Sequence, residues 1–127
     1  MTKTILVIDD DEDVRKSFTL ALEGSGYEVE TVESGEKGVQ RMAEVKYSLV
    51  YLDLKMPGMG GVATLREIRK RDATIPVYIV TAFYEEFLTE LKTAAAEGIN
   101  FDLLKKPIES DKIVFVTKSI LEKPGIY

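Results

Sequence analysis

Ile5-Leu6-Val7-Ile8, Leu49-Val50-Tyr51-Leu52 and Val77-Tyr78-Ile79-Val80 are three short, unbroken apolar runs rich in β-branched residues. Runs of this length without alternation read as strands buried on both faces, as in a parallel sheet. Two further segments differ. Tyr27-Glu28-Val29-Glu30-Thr31-Val32 largely alternates apolar and polar residues, and Phe101 to Lys106 is apolar in the middle and basic at its end. Both read as edge strands.

Helical periods fill the gaps. Val14, Phe18 and Leu22 recur at i, i+4, i+8, and Gly24 and Gly26 end that segment. Val39, Met42 and Ala43 mark a second helix, and Val62, Leu65 and Ile68 a third. Phe87, Leu88, Leu91 and Ala95 mark a fourth, with Glu85 and Glu86 in its first turn and Gly98 as its stop. Ile113, Val116, Ile120 and Leu121 mark a fifth, opening near Glu109 or Ser110 and closed by Pro124 and Gly125. The order is βα repeated five times. It implies α/β architecture with right-handed crossovers and helices on both faces. With the second and fifth strands at the edges, the strand order is 2-1-3-4-5, a single doubly wound (βα)5 flavodoxin-like fold.

The 127 residues suit one domain over 1–127, with no room for an effector domain. Cysteine and histidine are both absent. That excludes disulfides, thiolate chemistry, His-ligated zinc and an imidazole base. Chemistry must use carboxylates, hydroxyls, lysines or a hard metal. The net charge of −5 argues against direct nucleic-acid binding. The start of the chain is neither a signal peptide nor a membrane span, so the cytoplasm is the expected compartment.

Ligands of such sheets bind beyond the carboxyl ends of the strands, where strand order reverses. That point lies between the first and third strands. The first strand ends in Asp9-Asp10, the third in Asp53, the fourth in Thr81 and the fifth in Lys105-Lys106-Pro107. The second, away from the reversal, ends in Val32-Glu33 without a comparable cluster. Carboxylates packed together repel and call for a cation. An all-oxygen set indicates Mg²⁺, Mn²⁺ or Ca²⁺, and Mg²⁺ fits best because it uses few protein carboxylates. An Asp carboxylate can attack phosphorus to form an acyl phosphate, with metal and ammonium offsetting charge on the transferred oxygens.

Each piece alone also has an ordinary reading. Asp9 to Asp13 can cap a helix, Asp53 can precede a turn, Thr81 can end a strand, and Lys105 and Lys106 can be solvated. Asp11 and Asp13 are expected to serve as caps. What outweighs the ordinary readings is convergence on one end of one sheet. Of the two lysines, only one can face the cluster, and the position before proline favours Lys106.

The set Ile5-Leu6-Val7-Ile8-Asp9-Asp10-Asp11, Tyr51-Leu52-Asp53-Leu54-Lys55-Met56-Pro57-Gly58-Met59-Gly60-Gly61, Val80-Thr81-Ala82 and Lys106-Pro107 resembles the response-regulator receiver family of two-component signalling. The resemblance covers about the whole chain. It implies a phospho-accepting switch with Asp53 as acceptor and Asp9, Asp10, Asp53 and the backbone carbonyl of Lys55 around Mg²⁺. Thr81 resembles the switch hydroxyl and Lys106 the phosphoryl-binding lysine, with a cis bond to Pro107. It implies a sensor histidine kinase or histidine phosphotransfer protein as donor. The output would run to a downstream protein through the face of helix 4, strand 5 and helix 5.

The chain departs from the family pattern in three places. Leu103 stands where an aromatic is common, with Phe101 nearby; Ile108 replaces the frequent phenylalanine after the proline; Gly60 stands where an acidic residue is common. Phe83, two residues after Thr81, is bulky and apolar and predicts slow self-dephosphorylation by screening the acyl phosphate from water. Among other readings, the Leu103 departure suggests a phosphorylation-independent interaction scaffold. A Mg²⁺ phosphatase would want a second carboxylate at Lys55 and a substrate cap, and a flavin protein a glycine-rich phosphate loop after the first strand. The sequence has none of these.

Overall fold

A computed structural model describes residues 2–122; the helix stop expected at Pro124 and Gly125 lies outside them. The elements alternate as the periodicities require: β1 (Thr4–Ile8), α1 (Glu12–Ala21), β2 (Glu28–Val32), α2 (Gly35–Met42), β3 (Leu49–Leu52), α3 (Gly61–Arg71), β4 (Val77–Thr81), α4 (Leu88–Ala96), β5 (Asp102–Lys105) and α5 (Ser110–Leu121). The five strands form one parallel sheet in the order 2-1-3-4-5. The three apolar runs occupy its centre and the two mixed segments its edges.

Because neighbouring strand residues point to opposite faces, each central run feeds two cores. Leu6, Ile8, Val50, Leu52, Val77 and Ile79 pack with Val62, Leu65, Ile68 and Leu91 on the side covered by α2, α3 and α4. Ile5, Val7, Leu49, Tyr51 and Val80 pack with Phe18, Leu22, Ile113 and Leu121 on the side covered by α1 and α5. Tyr51 anchors the second core. Its ring lies 4.7 Å from that of Phe18, and its hydroxyl meets the buried Thr117 hydroxyl at 2.7 Å.

The fourth helix differs from the periodic reading in two respects. A 3-10 turn over Glu85–Phe87 precedes α4, so the two glutamates lie outside the α-helix proper. Its buried face is Leu91 with Ala94, while Ala95 is exposed. Ala94 and Ala95 stand i+3 and i+4 from Leu91, two spacings that share one helix face, and the sheet takes the nearer of them. At the far edge, β5 begins at Asp102, and Phe101 packs just ahead of it on the α2–α4 side.

Candidate functional site

Parallel pairing brings the strand ends level. Ile8 is in register with Leu52, the Asp53 amide bonds the Ile8 carbonyl at 2.9 Å, and the Asp9 amide bonds that of Val32 at 3.1 Å. The residues following the two strands are therefore neighbours. Asp9, Asp10 and Asp53 each offer a carboxylate oxygen, and these oxygens all lie within 4.8 Å of one another. Asp9 and Asp53 are buried, Asp53 retaining only 4% exposure, while Asp10 faces solvent. Three hard oxygen donors, one reachable from water, form a set that suits a small divalent cation retaining some of its hydration.

Lys106 reaches the same place from the end of the edge strand β5. Its amide extends the β4–β5 ladder by donating to the Thr81 carbonyl at 2.9 Å. Its Nζ lies 2.8 Å from Asp9 Oδ2 and 3.4 Å from Asp53 Oδ1. Lys105 is on the other face, with its ammonium 5.8 Å from the centre of the Tyr84 ring. The peptide bond from Lys106 to Pro107 is cis.

Burial pushes the Asp53 carboxyl up to about 6, and the charge of Asp9 adds to this; the Lys106 ammonium and the Leu54 amide oppose it. Burial works against the charge on Lys106. Its bond to Asp9 and the charges of Asp9 and Asp53 outweigh that, so its pKa sits above the ordinary lysine value. The cluster has more negative charge than one lysine balances.

The loop from β3 to α3 begins at Asp53 itself. Gly61 lets α3 start against the strand end: a Cβ there would meet the Asp53 carbonyl and the Leu54 Cα, each at 2.4 Å. Gly60, at the N-cap of α3, offers no side chain to the helix amides. Asp11 caps α1 by accepting the Asp13 amide at 2.9 Å, with Glu12 and Asp13 in the first turn.

Of the residues singled out from sequence, Asp9, Asp10, Asp53 and Lys106 come together. Thr81 sits at the end of β4, buried, with its hydroxyl accepting the Phe83 amide at 2.9 Å. Among the described residues no hydrogen bond joins it to the carboxylates. The Lys55 side chain turns away from the cluster: its ammonium lies 4.3 Å over the Phe83 ring and 3.4 Å from Glu86. Two contributors carried no sequence signal. Arg15 donates to the Asp9 carbonyl at 2.8 Å, and Glu36 accepts the Met59 amide at 3.0 Å. Both side chains come from segments whose local patterns read only as helix, and both bond backbone groups.

No helix among the described residues is long and apolar enough to cross a membrane. Residues 5–118 match the family model for the response regulator receiver domain. An uncharacterized transcriptional regulatory protein of Bacillus subtilis, YkoG, is 34% identical over 95% of this chain and 52% of its own length. The chain thus spans about half the length of such curated relatives. Among solved structures, a CheY-like receiver domain protein of Methanospirillum hungatei superposes with a TM-score of 0.85 at 25% identity, covering 97% of this chain and 96% of that one. The response regulator TrrA of Thermotoga maritima, solved with Mg²⁺ and BeF, is similar at 31% identity and a TM-score of 0.78, over 94% of this chain and all of that one. With the fold, the strand-end cluster and these likenesses in agreement, the chain belongs to the response regulator receiver domain family, the phospho-accepting switch modules of two-component signalling.

Proposed function

We propose that Asp53 is the phosphoryl acceptor of this switch and that Asp9, Asp10, Asp53 and the Lys55 carbonyl hold Mg²⁺. The observation that carries the reading is the pairing of a buried, crowded Asp53 carboxylate with the Lys106 ammonium 3.4 Å away. Bound Mg²⁺ would supply positive charge to the phosphoryl oxygens and offset the repulsion among the carboxylates. Asp53 Oδ attacks phosphorus of a phosphohistidine. The new O–P bond forms as the P–N bond breaks, and the imidazole nitrogen keeps the electron pair. Lys106 stabilises charge on the equatorial oxygens. A chain without histidine cannot be its own histidine donor, so the donor is a sensor histidine kinase or a histidine phosphotransfer protein.

The added charge, about −1.5 to −2 by analogy with other phosphorylated side chains, then recruits the Thr81 hydroxyl. That hydroxyl now accepts from Phe83, and its proton is available to donate. Drawing Thr81 inward pulls the segment from Phe83 into α4, and the surface of α4, β5 and α5 shifts for a downstream protein. Full switching requires about 5.5 kcal/mol of differential interaction, within reach of two or three charge-assisted hydrogen bonds at about 1.5–3 kcal/mol each. The likeness to transcriptional regulators fits this module passing its signal to an output partner, in the cytoplasm.

Incubation with acetyl phosphate and Mg²⁺, read by intact mass, tests the assignment. One phosphoryl group is expected, lost in Asp53→Asn and lost when a chelator replaces the metal. Unchanged labelling of Asp53→Asn would reject it.

A further inference from the structure

The loop between β3 and α3 carries Lys55, and its backbone must be held still for the Lys55 carbonyl to serve the metal site. Its composition works against that, because Gly58, Gly60 and Gly61 all fall within it or at its end. A helix N-cap side chain would ordinarily tether such a loop to α3, and Gly60 supplies none. The tether comes from another helix. Glu36, in the first turn of α2, accepts the Met59 amide at 3.0 Å. Among the described residues this is the only side-chain bond to a backbone amide of residues 55–60.

The surrounding packing fits the same role. A Cβ on Gly58, whose φ is +74°, would stand 2.7 Å from the Glu36 carboxylate, so the loop has no side chain where Glu36 lies. A Cβ on Gly35 would meet the Thr64 hydroxyl at 2.0 Å and the Met59 carbonyl at 3.1 Å, which brings the first turn of α2 directly against that of α3. Thr64 in turn donates to the Gly60 carbonyl at 2.9 Å. Bonds from its own amide and that of Met59 hold the Glu36 carboxyl below the usual carboxylate range.

We propose that Glu36 is a positioning residue for the metal site: by bonding the Met59 amide it fixes the β3–α3 loop in place of the helix cap that Gly60 lacks. This rests on the reading that the carboxylate cluster binds Mg²⁺. Residues that orient a metal's ligands typically change affinity by 10–100-fold when removed; for a single solvent-accessible bond we expect the lower end, about tenfold.

The test is a titration with Mg²⁺ alone, followed by the amide NMR shifts of Asp53 and Lys55. Glu36→Ala should weaken binding about tenfold. Glu36→Asp, which keeps the charge but is one methylene too short, should weaken it similarly. Glu36→Gln, whose carbonyl oxygen still accepts, should bind nearly as the parent does. Gly60→Asp should restore much of the loss in Glu36→Ala. The Gly60 backbone (φ −70°, ψ 170°) is already that of an N-cap, and a Cβ there meets nothing closer than the Leu54 carbonyl at 3.9 Å. If the parent binds Mg²⁺ and both short variants bind it within twofold, the role of Glu36 is refuted while the metal site stands. If the parent binds none, the metal reading itself fails and this inference with it.

Discussion

The Lys106 ammonium sits closer to Asp9 than to Asp53, at 2.8 Å against 3.4 Å. One cation is thus shared unequally by two buried carboxylates, and Asp53 is the less compensated. A carboxyl raised to about 6 from an ordinary 3.8 has consequences for stability. Below the ordinary value both folded and unfolded states hold the proton, so burial has no effect through this group. Between the two values the folded protein retains a proton that the unfolded chain releases. Stability falls as pH rises through that window, and the full loss persists above it. Asp53→Asn removes the charge. In metal-free buffer near neutral pH it should be more stable than the parent by roughly 2–3 kcal/mol, with the difference closing as pH falls toward the ordinary carboxyl value. Urea unfolding at a series of pH values reads this. A variant less stable at neutral pH, or a gap that widens on acidification, would contradict the electrostatic account.

The Tyr51–Thr117 hydroxyl pair fastens α5 to the central strand that ends in Asp53. Burial pushes the Tyr51 phenol up to about 12, so it stays protonated and in place. Thr117→Val strands the Tyr51 hydroxyl in the core and should lose about 1–3 kcal/mol. Tyr51→Phe should lose less, since a helical threonine can turn its hydroxyl to its own backbone. The double variant should be more stable than the sum of the two predicts, by about 1 kcal/mol. Strict additivity in denaturant unfolding would show that the pair does not act as a unit.

Phe83 is 43% exposed and lies beneath the Lys55 ammonium, with Glu86 completing the contact. The three side chains bridge the loops after β3 and β4. Phe83→Glu should open this bridge to water and shorten the lifetime of the phosphorylated form several-fold, whereas Phe83→Leu, still apolar, should change it little. Decay of the phosphorylated mass after removal of acetyl phosphate supplies the rate. Equal decay in both variants and the parent would remove the screening role.

Gly61 is the tightest backbone approach at the site. In Gly61→Ala the methyl meets main-chain atoms that cannot swing aside, so α3 must move from the strand end. Overpacking of this kind typically costs about 1–3 kcal/mol, and here Mg²⁺ affinity should fall along with the melting temperature. A Gly61→Ala protein with parental stability would show the approach to be looser than the structure has it.

How far the sequence alone reaches can be seen residue by residue. The sheet order was legible because Ile5–Ile8, Leu49–Leu52 and Val77–Val80 must be buried on both faces, while Glu28 and Glu30 forbid this at the second strand. Asp9, Asp10, Asp53 and Lys106 were legible because topology alone sends those strand ends to one place. The start of α4 was not, because a 3-10 turn and an α-helix share apolar spacing over so few residues, and the choice between Ala94 and Ala95 was not, because i+3 and i+4 from Leu91 fall on the same face. Glu36 and Arg15 were invisible for another reason. Their partners are backbone groups whose positions exist only once the chain has folded, and backbone groups leave no mark in a sequence. Thr81 was legible as a strand-end hydroxyl but its bond to the Phe83 amide was not, for the same reason: the partner is a backbone group.

The account stands on which side chain takes the phosphoryl group. Borohydride reduces an aspartyl phosphate to homoserine, and peptide mapping then locates the changed residue. After acetyl phosphate and Mg²⁺, homoserine is expected at position 53 alone. Homoserine at position 9 or 10, or an unmodified chain, would contradict it.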